Sequence, residues 1–165
     1  MMIKFASWNL CLGIKNKKDY VYDTIRREKI DICLLQEVEI KKDYPTELLS
    51  SADYKIEIEK HKHLARTAIV IKNNLAYERR EDLELDDTSV IIVDINAKTN
   101  YRIINLYRQF SPPNNLTQTE HFKIQLSIIK LAANNLNGRN LIILGDFNLD
   151  DRKRYCTEYH NKHLF

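Results

Sequence analysis

The stretch NLIILGDFNLDD, residues 140–151, decides how this chain is read. Leu141, Ile142, Ile143 and Leu144 form a continuous apolar run, the pattern of a strand buried on both faces. The run breaks at Gly145 and delivers Asp146, Phe147 and Asn148 in succession. A carboxylate and a carboxamide in that position are either turn chemistry or a pair of functional groups mounted on a rigid strand. The same arrangement recurs along the chain. Residues 3–8 (IKFASW) alternate loosely as a first strand that ends at Asn9, and DICLLQE is an apolar strand that ends at Gln36 and Glu37. YRIINLY, residues 101–107, runs into Arg108, Gln109, Phe110 and the breaker Ser111-Pro112-Pro113.

Between these strands the pattern predicts a helix over roughly Asp19 to Lys29, with Val21 and Ile25 on one face. YKIEIEK alternates Tyr54, Ile56 and Ile58 with charged residues and reads as half exposed, whereas TAIVI (67–71) and SVIIVDI (89–95) read as more deeply buried strands. Sequential strands of this kind usually pair antiparallel. Thr117 and Glu120 fit a capping box, and Phe122, Leu126, Ile129, Ala133 and Leu136 then repeat at helical spacing until Asn137-Gly138 stops the helix. With no internal repeat or linker, the order of elements predicts a single layered α/β domain with mixed, largely antiparallel pairing and flanking helices.

Composition is that of an ordinary globular domain, 44% hydrophobic and 30% charged. A net charge of +3 permits a polyanionic partner without requiring one. No stretch has the length of a membrane span, and MMIKFASWNL lacks the plan of a signal peptide, so the expectation is an intracellular chain, nuclear or cytoplasmic, with no membrane partner. Cys11, Cys33 and Cys156 lack zinc-ligand spacing and are expected to be reduced thiols.

The strand ends collect Asn9, Glu37, Tyr107 with Arg108, and Asp146 with Asn148. In layered α/β folds, side chains beyond strand ends can converge on a ligand while the strands hold position. This set has no thiol or histidine, and an oxygen-rich set favours a hard cation such as Mg²⁺, which takes one or two protein carboxylates. Taken singly, each residue also has a plain structural role: Glu37 as a solvated acid, Asn9 as a turn former, Tyr107 as a core-edge residue, Arg108 as a surface charge.

Taken in order, SWN at 7–9, LLQE at 34–37, NLYR at 105–108 and ILGDFN at 143–148 resemble the endonuclease/exonuclease/phosphatase superfamily, the group of deoxyribonuclease I and the apurinic endonucleases. NLYRQFSPP is most similar to the corresponding segment of endonuclease domains attached to reverse transcriptases of non-LTR retrotransposons, and RTAIVIKNN (66–74) resembles the family's central strand, with Ala68 where glycine is common. The resemblance implies a deoxyribonuclease I-like sandwich and metal-dependent phosphodiester hydrolysis, with DNA as the substrate. It implies that Glu37 binds Mg²⁺ or Mn²⁺ with Asn9 beside it, and that Asp146 orients or deprotonates the attacking water. It also implies that Asn148 and Tyr107 contact the scissile phosphate, with Arg108 on the nucleic acid. Another phosphoesterase of the superfamily, or a noncatalytic nucleic-acid-binding fragment, is the alternative.

The sequence departs from the family pattern in two further ways. Gln109 stands where the family has proline after Tyr-Arg, and nothing after Asp146 shows the further strands, the later aspartate or the terminal Asp-His pair. His160 and His163 lie in a polar tail, and His61 and His63 in a polar connection where both are expected to face solvent. The expectation is a fragment of a longer protein or a chain that self-associates through an uncovered sheet, with weak or absent catalysis on its own.

Overall fold

The computed structural model describes residues 2–11 and 13–148. Ile32 and Leu34 alternate with Cys33 and Leu35, and all four are buried, so their strand has apolar cover on both faces. It belongs to a sheet of order β1-β2-β4-β3, built from β1 (Phe5–Asn9), β2 (Ile32–Lys41), β3 (Tyr54–Ile58) and β4 (Leu64–Lys72). Strands β1 and β2 are parallel, with helix α1 (Lys18–Arg27) as the crossover, and the other two pairs are antiparallel. The second sheet has the order β5-β6-β7-β8, from β5 (Ala76–Arg79), β6 (Val90–Asn96), β7 (Tyr101–Tyr107) and β8 (Asn140–Asp146). Its parallel pair is β7 and β8, joined by helix α2 (Gln118–Asn134).

The two sheets pack face to face. Ile32, Leu34, Ile69 and Ile71 of the first meet Ile91, Val93, Ile95 and Ile103 of the second. On the outer face of the first sheet Cys33, Leu35, Val38 and Ile40 pack against Val21, Tyr22 and Ile25 of α1. On the outer face of the second, Val90, Ile92, Ile104 and Leu106 pack against Ile128 and Ala132 of α2. The layers are therefore helix, sheet, sheet, helix, which is the predicted layered α/β sandwich. Strands β3 and β4 pair antiparallel as expected, as do β6 and β7, but β4 and β5 lie in different sheets.

Three sequence expectations change. Strand β2 does not end at Glu37; it continues to Lys41 through an irregularity between Gln36 and Ile40, because Val38 and Ile40 still alternate into the core beneath α1. The buried face of α2 is His121, Gln125, Ile128 and Ala132, one position off the stripe of Phe122, Leu126, Ile129, Ala133 and Leu136. Polar residues are drawn inside because Gln125 donates to the carbonyls of Thr88 (2.7 Å) and Tyr107 (3.0 Å), and the His121 ring sits 3.2 Å from the Asp87 carbonyl. Leu126 is left 46% exposed. Finally, β8 packs on both faces, Ile142 and Leu144 between the sheets and Leu141 and Ile143 toward α2, but these residues are only partly buried because β8 is an edge strand among the described residues, paired with β7 alone.

The capping box forms as predicted: the Thr117 hydroxyl accepts from the Glu120 amide while the Glu120 carboxylate accepts from the Thr117 amide. Cys11 is an exposed free thiol and Cys33 a buried one; Cys156, His160 and His163 lie outside the described residues. His63 is exposed, whereas His61 is only partly so, its Nδ1 2.9 Å from the Glu59 carbonyl. No helix among the described residues is long and apolar enough to cross a membrane.

Gly145 is where sequence and packing meet most tightly. It pairs with Leu106 at φ +147°, and a Cβ added there would lie 2.0 Å from the Leu106 carbonyl oxygen. No backbone or side chain nearby can yield that much without breaking the β7–β8 ladder. Gly145→Ala is expected to cost roughly 2–4 kcal/mol, read as a lowered denaturation midpoint; an unchanged midpoint would contradict the close approach.

Glu59, just past β3, is 3% exposed. Its Oε1 accepts the backbone amides of Arg66 and Thr67, while its Oε2 is buried without a partner. Burial pushes the carboxyl up to about 8, with the two backbone bonds acting against the shift. The folded chain thus keeps a proton that the unfolded chain sheds near the ordinary carboxylate range. Stability should fall as pH rises from about 4.5 to about 8 and level off above it. Thermal midpoints across that window are expected to decline in the wild type, with a shallower decline in Glu59→Gln.

Candidate active site

The ends of β1, β7 and β8 and the bulge in β2 lie together at one end of the sandwich. Parallel pairing places Asn9 beside Gln36 and Tyr107 beside Asp146, each pair at the final rung of its ladder. The Asn9 carboxamide then spans the two sheets: its Nδ2 donates to Glu37 Oε1 at 2.9 Å and to Asp146 Oδ2 at 2.8 Å. Carboxylates only accept, so the NH₂ group must be the end that faces them. Asn9 Oδ1 accepts the Cys11 amide at 2.9 Å, which fixes the plane of the group.

Glu37 reaches this point because the chain is irregular there. Its φ is +55° and that of Glu39 is +50°, conformations that side chains seldom adopt and that mark the bulge in β2. The loop after β1 stitches the bulge in place, with the amides of Leu10, Gly13 and Ile14 donating to the carbonyls of Gln36, Glu37 and Val38. Tyr107 hydroxyl donates to Glu37 Oε1 at 3.1 Å. Burial pushes the Tyr107 phenol up to about 12, helped by the charge and hydrogen bond of Glu37 and opposed by the charge of Arg66 and a bond from Asn148. Tyr107 is therefore a neutral donor throughout the physiological range.

Asp146 and Asn148 satisfy both readings of their motif. Asp146 Oδ1 accepts the Asn148 amide at 2.9 Å, an Asx turn, and Asn148 takes φ +46°. Asn148 Nδ2 donates to the Arg108 carbonyl at 2.6 Å, and the Arg108 amide donates to the Asp146 carbonyl at 2.9 Å. The turn thus aims the Asp146 carboxylate at Asn9 instead of leaving it in solvent. Arg108 turns its guanidinium over the Phe122 ring, 5.0 Å from the centroid. Gln109 is buried and donates to Ser89 Oγ at 2.6 Å, so the residue that departs from the family's proline faces inward.

The structure brings Asn9, Glu37, Tyr107, Asp146 and Asn148 together, with Arg108 at the rim. Sequence reasoning did not single out Asn105, which is fully buried on β7 and donates to the carbonyls of Leu35 and Ala68 across the sheet interface at 2.8 and 2.9 Å. Its Oδ1 accepts Gln36 Nε2 at 2.7 Å. A carboxamide at an inward position of an apolar strand was the available signal.

Two carboxylates drawn to one amide, with no nitrogen or sulfur ligand among them, suit a hard divalent cation that completes its shell with water and substrate oxygens. Among the described residues no group of three or more His, Cys, Asp or Glu side chains is placed to hold a metal ion.

The profile of the Endonuclease/Exonuclease/phosphatase family matches residues 6–158. No curated protein matches the chain in sequence. The endonuclease domain of TRAS1, a telomere-specific non-LTR retrotransposon, is similar in fold, with a TM-score of 0.65 at 16% identity over 88% of this chain and 60% of that one. An AP endonuclease from Archaeoglobus fulgidus has a TM-score of 0.63 at 18% identity, over 90% of this chain and 58% of that one. D. rerio TDP2 complexed with single strand DNA product has a TM-score of 0.61 at 15% identity, over 92% of this chain and 62% of that one. The chain spans about 60% of the length of these solved domains. It belongs to the Endonuclease/Exonuclease/phosphatase family.

Proposed function

We propose that this chain hydrolyses phosphodiesters with a divalent metal, Mg²⁺ or Mn²⁺, as part of a DNA-nicking endonuclease domain of the retrotransposon type. The observation that carries this reading is the Asn9 amide shared by Glu37 of one sheet and Asp146 of the other, beside the Tyr107 phenol. Glu37 would hold the metal, with Asn9 keeping its carboxylate in place beside it. The metal would neutralise charge on the phosphate oxygens. Asp146 orients or deprotonates the attacking water, and its Asx turn holds the carboxylate against rotation. Tyr107, kept neutral, and Asn148 donate to the phosphate oxygens as charge builds on them. Arg108 at the rim meets the flanking backbone of the nucleic acid. The TRAS1 likeness and the single strand DNA bound by TDP2 support DNA as the substrate class.

The same reading makes the chain one portion of its domain. Strand β8 has an open edge among the described residues, and the apolar stripe of Phe122, Leu126, Ile129, Ala133 and Leu136 is only half covered. Further strands of the same domain would pair with β8 and complete the cover, supplying the remaining catalytic groups.

Two experiments test the reading. Calorimetric titration with Mg²⁺ or Mn²⁺ should show affinity at least about tenfold weaker in Glu37→Gln, with little change in the thermal midpoint, since a partly exposed acid is replaced by its isostere. Equal affinities would remove Glu37 as a ligand. Supercoiled plasmid in Mg²⁺ should be nicked slowly by the 165-residue chain and at least about a hundredfold more slowly by Asp146→Ala. A monomer on a sizing column that nicks rapidly would show that no further segment is needed. Metal binding without any nicking would favour a noncatalytic nucleic-acid-binding role.

A further inference from the structure

The proposed site holds two carboxylates, yet its substrate would be a phosphodiester anion. Among its described residues, the cations at the rim are differently occupied. Arg108 lies over Phe122, and the Lys17 ammonium donates to the carbonyls of Leu10 and Cys11. Arg66 differs from both. The pairs Gln36–Thr67 and Ile40–Ala65 place it across from the bulge that carries Glu37 and Glu39. Its Nη1 donates to Glu39 Oε1 at 2.8 Å, and its Nε and Nη2 bond no described residue. The charge of the guanidinium also acts on the Tyr107 phenol. Both members of the pair remain accessible, Arg66 at 27% and Glu39 at 34% side-chain exposure. The backbone beneath is firmly held, because the Arg66 and Thr67 amides both donate to buried Glu59.

We propose that Arg66 is a phosphate-binding residue of this site, held ready by Glu39 and presenting its free N–H groups to a phosphate next to the one Tyr107 contacts. This rests on the phosphodiesterase reading above. An exposed Arg–Glu pair is worth little by itself, so exchanging part of it for a phosphate costs little. The planar fork of arginine suits two phosphate oxygens at once, which a lysine ammonium cannot match. Glu39 then has a second effect. It competes with the phosphate, and so tempers binding of the substrate and of the nicked product alike.

The test is fluorescence anisotropy of a short fluorescein-labelled DNA duplex in Mg²⁺, titrated at several salt concentrations. Arg66→Ala should weaken binding about tenfold and reduce the logarithmic salt slope by about one unit. Arg66→Lys should keep the slope and recover only part of the affinity. Glu39→Gln should bind as tightly as the wild type or more tightly. Arg66→Ala in the Glu39→Gln background should still lose affinity and slope, an independence from Glu39 that a purely structural pair would not show. If that double variant binds like Glu39→Gln alone, or if Arg66→Lys and the wild type have equal affinity, the inference is overturned while the phosphodiesterase reading stands. If the wild type neither binds the duplex nor nicks plasmid, the reading itself fails and takes the inference with it. Should Arg66→Ala fail to fold, the Arg66→Lys and Glu39→Gln arms still decide it.

Discussion

A single buried carboxamide registers the two sheets against each other. Asn105 points inward from β7 beside the apolar inter-sheet core, and spends both hydrogens on carbonyls of β2 and β4 while its oxygen accepts from Gln36. Each such bond has a net worth of only about 1 kcal/mol, but leaving any of these buried groups unpaired costs about 1–3 kcal/mol. Sliding one sheet by a residue would strand all of them at once. Hydrophobic contact alone is non-directional and would tolerate such a slip. The Asn105 bridge lies two residues below Tyr107 and one below Glu37 along their strands, so it sets the distance between the sheets where the polar groups gather.

Helix α2 applies the same constraint from outside. Gln125 holds the Tyr107 carbonyl, and His121, whose burial favours the neutral ring, rests on the Asp87 carbonyl. At the other end Arg102, fully buried, donates to the carbonyls of Ala132 and Asn135 and forms a paired contact with Asp94 at 2.6 and 2.7 Å. Asp94 is held below the ordinary carboxylate range: its burial is outweighed by the bonds from Arg102 and Arg80. The buried guanidinium thus caps the last turn of α2 and ties it to β6 and β7 together. Tyr107 is consequently fixed through its backbone by α2 and through its hydroxyl by Glu37, which leaves the phenol little freedom to reorient.

Much of this was legible in the sequence because it follows from local rules. The capping box at Thr117 and Glu120, the alternation of Tyr54 and Ile56, and the polar residues after apolar runs all report on short stretches of chain. What escaped notice depends on partners far away in sequence. The burial of Gln125 and His121 displaced the apparent face of α2, because carbonyls of the 87–88 segment and Tyr107 supply their bonds. The bulge at Glu37 was hidden for a related reason. Val38 and Ile40 continue the alternation, but the bulge whose positive φ values turn Glu37 toward Tyr107 is bonded by the amides of Leu10, Gly13 and Ile14. Strand β8 reads as fully apolar because both of its faces join packed layers, yet its edge status is a property of what lies beside it. No local pattern in Leu141 to Leu144 encodes a neighbour.

The motif ILGDFN can now be understood as a set of linked geometric demands. Gly145 must lack a side chain because Leu106 of the neighbouring strand occupies the space, and that close approach brings Asp146 level with Tyr107. Asp146 must be followed two residues later by a donor free to take a left-handed backbone, which asparagine tolerates better than most residues. Asn148 then returns its own amide to Arg108 and closes the loop onto β7. Each step constrains the next, so the carboxylate arrives beneath the Asn9 amide with its orientation already decided. The two sheets contribute one acid each, and each acid takes one bond from the opposite sheet, Asp146 from Asn9 and Glu37 from Tyr107. That arrangement makes the spacing of the carboxylates a property of the whole sandwich, and it explains why a buried carboxamide on β7 and a polar face on α2 matter to a site whose carboxylates neither of them bonds.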